Sequence, residues 1–157
     1  MILVDPYTKR SYTYEQTKAA TITFGTGIRS NWDWEKNDVL MLFTPNCIDT
    51  PAVMWGTIWA GGTISTANPG YTVDELAFQL KDSGAKAIAT QVAMLDVAVQ
   101  AAKKVGIPDD RIILIGDEKD KSNKYKHFTA IRNMAGTSRY RRVKRNPAKD
   151  LAFLPYR

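Results

Sequence analysis

The sequence is short of the side chains that most often carry chemistry. Its 157 residues include one cysteine, Cys47, and one histidine, His127. A single cysteine closes no internal disulfide, and an apolar free thiol of this kind suits a reducing compartment. A catalytic thiol would need an imidazole beside it, and the sole imidazole stands far along the chain. Long apolar runs are missing too. The longest, residues 52–64, is interrupted by Thr57, Gly61, Gly62 and Thr63, and falls short of the ~20 residues that a bilayer span needs. The opening MILVDPYTKR puts no positive charge ahead of its apolar residues and breaks at Asp5-Pro6, unlike a secretory signal. A soluble intracellular protein is expected.

Acidic residues are scarce at the back. Residues 1–118 hold 10 Lys and Arg against 14 Asp and Glu, a balance of −4, whereas residues 119–157 hold 12 against 2, a balance of +10. Tyr125, Phe128 and Tyr140 lie among these cations, a mixture that can bind nucleic acid or an acidic partner. No RRM, KH or zinc-finger pattern accompanies them, so a solvated basic connector is the favoured reading and a nucleic-acid partner is not expected.

What the chain does have is enough apolar content, 44%, to remove roughly 70% of its unfolded surface from water as one domain. DPYTKRSYTYEQ alternates aromatic and polar residues around Thr8-Lys9-Arg10 and predicts a β-hairpin over residues 5–14. Thr13 and Gln16 form a capping box that starts a helix, continued by Ala20, Phe24 and Ile28. The Gly25-Thr26-Gly27 triplet therefore falls in a helix. As a dinucleotide loop it would need a preceding strand and an acidic residue about 20 positions on; Thr44-Pro45-Asn46 stands there instead, and that site is rejected.

From Val39 a regular alternation sets in. VLMLF, residues 39–43, reads as a strand buried on both faces. Pro51 suits a first helical turn, with Asp49 or Thr50 as cap, and AVMWGTIWA over residues 52–60 is apolar nearly all round, so it is expected to be buried, with Gly61-Gly62 ending it. A strand at residues 63–66, a helix opened by the Thr72 and Glu75 capping box and stopped by Gly84, a strand at 86–90, a helix from Met94 to Val105 and a strand at 111–116 follow. The fold class predicted is α/β: a parallel sheet with helices on both faces, preceded by a small β-hairpin. The organisation is one partial domain over residues 1–157, with a hairpin at 5–14, a βαβ core at 39–116, a basic connector at 117–150 and a final strand at 151–155. Ligands on such sheets bind beyond the strands' carboxyl ends, which here carry Asn46, Asn68, Gln91 and Asp117. These form no recognisable catalytic set, and no catalytic, cofactor-binding or metal-binding residue is assigned.

Three motifs carry a resemblance: NCIDTP at the start of the second helix, WAGGTISTANP, and YTVDEL with its helix. With the surrounding residues 38–91 they resemble the N-terminal part of AMP-forming acyl-CoA and aryl-CoA ligases, particularly the 4-coumarate-CoA ligase-like group, and the similarity extends from about Asp5 onward. These are packing and turn motifs rather than catalytic ones. The resemblance implies an adenylate-forming ligase that converts a small carboxylic acid, ATP and CoA into acyl-CoA, AMP and pyrophosphate through an acyl adenylate, with Mg²⁺. It also implies that KDLAFLPY leads into a Ser/Thr/Gly-rich phosphate loop, with Arg157 where that loop's first serine is expected. Family members usually have more chain ahead of the hairpin as well.

On this reading the chain lacks the ATP loop, the acyl pocket, the ribose-holding acid and the adenylating lysine. It is expected to be inactive by itself, to need the remainder of the ligase domain as partner, and to self-associate through exposed apolar surface, including the helix at 52–60, which is expected to be partly exposed without that remainder. A cytoplasmic or peroxisomal setting is expected. The competing expectation is a non-enzymatic interaction module whose basic C-terminal segment binds nucleic acid or an acidic partner, with affinity falling steeply with salt. An independent small α/β enzyme is a weaker third reading, because the strand ends offer no nucleophile, base and charge-stabiliser together.

Overall fold

The computed structural model describes residues 2–133 and 141–156; Tyr140 lies outside them. Strands β1 (Leu3–Val4) and β2 (Ser11–Tyr12) pair antiparallel, with Val4 opposite Ser11. The hairpin thus begins earlier than residues 5–14. The Asp5 carboxylate accepts from the backbone amides of Tyr7 at 2.8 Å and Thr8 at 3.0 Å, so the turn is organised from Asp5 rather than from Thr8.

Helix α1 (Tyr14–Asn31) opens on the Thr13 and Gln16 capping box and buries Ala20, Phe24 and Ile28 on one face. Then come β3 (Val39–Phe43), α2 (Thr50–Trp59), β4 (Thr63–Ala67), α3 (Val73–Ser83), β5 (Ala85–Thr90), α4 (Leu95–Val105), β6 (Ile112–Leu114), α5 (Phe128–Asn133) and β7 (Phe153–Pro155). Met94 falls in a short 3₁₀ turn ahead of α4, and the strand expected at 111–116 is shorter, because Arg111 closes a second 3₁₀ turn.

The five long-range strands form one sheet in the order β6-β5-β3-β4-β7, every neighbouring pair parallel. Central strand β3 is buried on both faces and sorts its side chains by alternation. Leu40 and Leu42 point toward α1, α2 and α5, in a core with Phe24, Val53, Phe128 and Ile131. Val39, Met41 and Phe43 point the other way, toward α3 and α4, with Leu76, Leu80, Ala98 and Ala102. Helices therefore cover both faces of an α/β sheet preceded by a small hairpin.

Two glycine positions fix how the first layer closes. A Cβ built on Gly25 would stand 2.6 Å from the carbonyl oxygen of Gly56 and 2.6 Å from the Trp59 ring, and one on Gly27 would stand 2.3 Å from the carbonyl oxygen of Ile131. The Gly25-Thr26-Gly27 triplet is the groove through which α1 touches α2 and α5. At the end of α2, Gly61 takes φ +91°, donates to the Ile58 carbonyl at 3.0 Å, and Gly62 donates to the Thr57 carbonyl at 2.8 Å. This is a Schellman ending, which a side chain at Gly61 would strain. Helix α2 is not buried all round: Trp55 is 47% exposed and meets Phe153 of β7 edge to face, with ring centroids 6.2 Å apart.

Candidate functional site

The strand order settles where the sheet's crevice lies. The connection leaving β3 runs through α2 on one face and that leaving β5 runs through α4 on the other, so the switch falls between adjacent strands β3 and β5. This is where open α/β sheets place ligands. Here the crevice is bridged by its own side chains: the Gln91 amide donates to the Thr44 hydroxyl at 2.9 Å, and that hydroxyl donates to the Pro45 carbonyl at 2.8 Å.

Beside it stands a network built around Asp49, whose residue is fully buried. Asp49 caps α2 by position, yet its side chain makes no capping bond. Instead it faces the hairpin. Arg10 Nη2 and the Tyr12 hydroxyl donate to Asp49 Oδ1 at 2.6 and 2.8 Å, while Arg10 Nη1 at 3.3 Å and the Gly116 amide at 3.0 Å donate to Oδ2. Arg10 Nη1 also reaches Asp117 at 2.6 Å. A carboxylate offers about four lone-pair positions, and all have donors. Asp49 holds the hairpin against the strand ends; it is not an open base or metal ligand.

Electrostatics follow from that packing. The hydrogen bonds from Arg10 to Asp49, and then to Asp117, hold the guanidinium more firmly protonated than usual. Burial, and then the Asp49 carboxylate, raise the Tyr12 phenol above its ordinary value. His127 hangs from the same corner: Nε2 donates to the Gly116 carbonyl at 2.8 Å, and Nδ1 lies 2.9 Å from the Thr129 hydroxyl. Because a carbonyl can only accept, Nε2 carries the proton and Nδ1 accepts in the neutral ring. Burial lowers the His127 pKa, opposed by its bond to Gly116.

A pH dependence follows. The folded state favours neutral His127, so this contribution is fully present above the unfolded value of 6.5 and is lost as pH falls through that value toward the lower folded one. Urea midpoints compared between about pH 7.5 and about pH 5.5 should show a decline that His127→Gln diminishes. An unchanged slope in the variant would remove histidine as its source.

The sequence-assigned strand-end residues do not converge. Asn68 accepts from the Gly70 amide at 2.9 Å within its own turn, Gln91 bridges to Thr44, and Asp117 is paired with Arg10. Asn46 lines a cavity of about 280 Å³ with Cys47, Ile48, Pro51 and hairpin residues Leu3–Tyr7. Cys47 Sγ lies 3.4 Å from the Thr50 hydroxyl, and both His127 nitrogens have other partners, so no Cys-His pair forms. Among the described residues no group of three His, Cys, Asp or Glu side chains could hold a metal. Arg10, Tyr12 and Asp49, the residues that do converge, were not assigned from the sequence: their separation hides the contact, and Asp49 reads naturally as a helix cap.

Among the described residues, Phe128 and Tyr125 of the basic segment are held by packing. Phe128 is fully buried against Phe24, with ring centroids 6.4 Å apart, and half-buried Tyr125 packs on the α3 and α4 side. Of its cations, Lys124 pairs with Asp109 at 2.8 Å, and Arg145 Nη1 donates to the Gly62 carbonyl at 2.5 Å. The Phe128 ring cannot stack on a base without leaving the core.

Comparison with known proteins agrees with this architecture. The family described as AMP-binding enzyme matches residues 2–156. An acyl-CoA ligase of Alternaria alternata is 35% identical over 114 residues, covering 67% of this chain and 19% of that protein. A 4-coumarate-CoA ligase of Narcissus pseudonarcissus is 28% identical over 155 residues, covering 98% of this chain and 27% of that protein. The chain thus spans about a fifth to a quarter of the length of such relatives. Among solved structures, a red-emitting luciferase from Phrixothrix hirtus superposes with a TM-score of 0.83 at 15% identity, covering 97% of this chain and 37% of that one. A long-chain-fatty-acid-CoA ligase from Archaeoglobus fulgidus gives 0.78 at 23% identity, covering 94% and 28%; at these identities the likeness is one of fold. The chain belongs to the AMP-binding enzyme family.

Proposed function

We propose that this chain is the scaffolding part of an AMP-forming carboxylate-CoA ligase, an enzyme that turns a carboxylic acid, ATP and CoA into acyl-CoA, AMP and pyrophosphate. The observation that carries the reading is the family match over residues 2–156, joined to strand-end side chains Asp49, Gln91 and Asp117 that are taken up in hydrogen bonds and ion pairs of the fold itself. In such chemistry the substrate carboxylate is itself the nucleophile, and the protein contributes positioning and charge neutralisation. The start of α2, the helix after β3, does not suit a phosphate: Pro51 stands in its first turn and the Asp49 carboxylate beside it, so a phosphate there would meet a missing amide and a negative charge. On this reading these residues position the sheet, and the reacting groups come from elsewhere in the enzyme.

The rest of the ligase domain is the partner this reading requires. Strand β7 pairs with β4 on one side, and Leu151 and Phe153 are exposed at 58% and 38%; an open, apolar strand edge is where a sheet continues or self-associates. No helix among the described residues is long and apolar enough to cross a membrane, and a cytoplasmic or peroxisomal setting goes with the reading.

The test is turnover by the purified chain. Incubation with ATP, Mg²⁺, CoA and a panel of aromatic and aliphatic acids should release no pyrophosphate above background and give no acyl-CoA by mass spectrometry. Acid-dependent release would overturn the assignment of residues 2–156 as scaffold.

A further inference from the structure

At the opposite end of the sheet from the Asp49 network, a cleft of about 430 Å³ opens between α1, α2 and the segment that returns toward β7. Its size is that of a small-molecule site. Trp55, Ile58 and Trp59 of α2, together with Val143, give it an apolar lining, and Arg142 and Arg145 stand at its rim. The segment is fixed where it crosses: Val143 donates its amide to the Trp59 carbonyl at 3.2 Å, its side chain lies over Gly61, and Arg145 holds the Gly62 and Leu151 carbonyls.

The charged side chains that line this cleft, Arg142 and Arg145, are both cationic. Residues 141–147 read RRVKRNP, with no carboxylate, and α2 carries no charged residue at all. The nearby acid, Asp150, is already paired with Lys36 at 2.8 Å and accepts from the Asn146 amide at 2.6 Å. Neither Arg142 nor Arg145 forms an ion pair among the described residues, and Arg142 is exposed with no hydrogen-bond partner there. Two indoles beside an uncompensated guanidinium form a surface that accepts a flat apolar body with an anionic head.

We propose that this cleft binds a small hydrophobic carboxylate, its apolar body against Trp55 and Trp59 and its anionic group at Arg142. The site is distinct from the carboxyl edge of the sheet, and the proposal is independent of the ligase reading, because it concerns binding rather than turnover. Naphthalene-2-carboxylate is a suitable probe, with the uncharged naphthalene-2-carboxamide as its control.

The experiment follows the indole N–H resonances of the chain's four tryptophans by ¹H–¹⁵N NMR during titration, assigned with Trp55→Phe and Trp59→Phe. The carboxylate should shift the Trp55 and Trp59 signals saturably and leave the buried Trp32 and Trp34 unmoved. The carboxamide should bind about tenfold more weakly, and Arg142→Gln should weaken the carboxylate about tenfold while leaving the carboxamide unchanged. Because Arg142 is exposed and unpartnered, that variant keeps the fold, which the Trp32 and Trp34 signals report. No saturable shift at millimolar probe, equal shifts at all the indoles, equal affinity for the two probes, or an unaffected Arg142→Gln variant would each overturn the proposal.

Discussion

Asp49→Ala should lower the stability of the chain by about 3 kcal/mol, read as a drop in the urea midpoint with little change in slope. The carboxylate it removes is fully buried and receives four hydrogen bonds. Its loss leaves the Tyr12 hydroxyl and the Gly116 amide without their acceptor and the Arg10 guanidinium with Asp117 alone, and unsatisfied buried donors cost more than the bonds themselves contribute. The figure sits at the low end for a broken buried ion pair because the Arg10 side chain is 33% exposed, and water takes over part of its solvation. Arg10→Met with Asp49→Ala should cost less than the two single changes added together. Strict additivity would show that the two side chains do not act as a pair.

Gly25→Ala is the second large effect, expected to destabilise by about 2 kcal/mol despite replacing glycine by the best helix former. In an open helix the change would gain about 1 kcal/mol. Here the new methyl group meets the Gly56 carbonyl oxygen at 2.6 Å and the Trp59 ring at 2.6 Å. Backbone cannot swing aside as a flexible side chain does, so α1 and α2 must separate, at the cost typical of an overpacked core. Thermal or urea unfolding decides the sign. A stabilised variant would mean that the two helices are not in contact at Gly25.

The alternation of strand and helix was legible because each element carries its own local signal. The capping boxes at Thr13 and Thr72 form as their spacing requires, with both reciprocal bonds present in each, and Gly84 ends α3 in the left-handed conformation. Such features depend on residues three or four apart. Strand order depends on which elements share a face, and nothing local marks that β5 returns to the far side of β3. The same limit hid the strand-end network: Arg10 and Asp49 stand 39 positions apart, Arg10 and Asp117 107 apart, and no periodicity links them. The expectation for α2, buried but partly exposed without the rest of a domain, could not say which residue is exposed, for a related reason. Its apolar composition indicates burial, but only tertiary placement shows that Trp55 faces outward beside Phe153.

Several residues with chemical potential serve structure. His127 braces the Gly116 corner with a neutral ring, Gln91 closes the crevice between β3 and β5, and Asp117 completes the hairpin clamp. Strand-end side chains occupied in this way support the proposed scaffolding role. They contrast with catalytic sites, where unpaired or strongly perturbed groups are left facing a cleft.

The most direct test separates framing from reacting. The Narcissus pseudonarcissus relative, which aligns over 155 residues of this chain, can carry the chain in place of its own matching residues, with and without Asp49→Ala. The account predicts a graft that forms acyl-CoA, and an Asp49→Ala graft with a lowered Tm whose kcat per folded molecule stays within about twofold. A kcat that collapses by orders of magnitude while the Tm holds would contradict it, and would place Asp49 among the reacting groups.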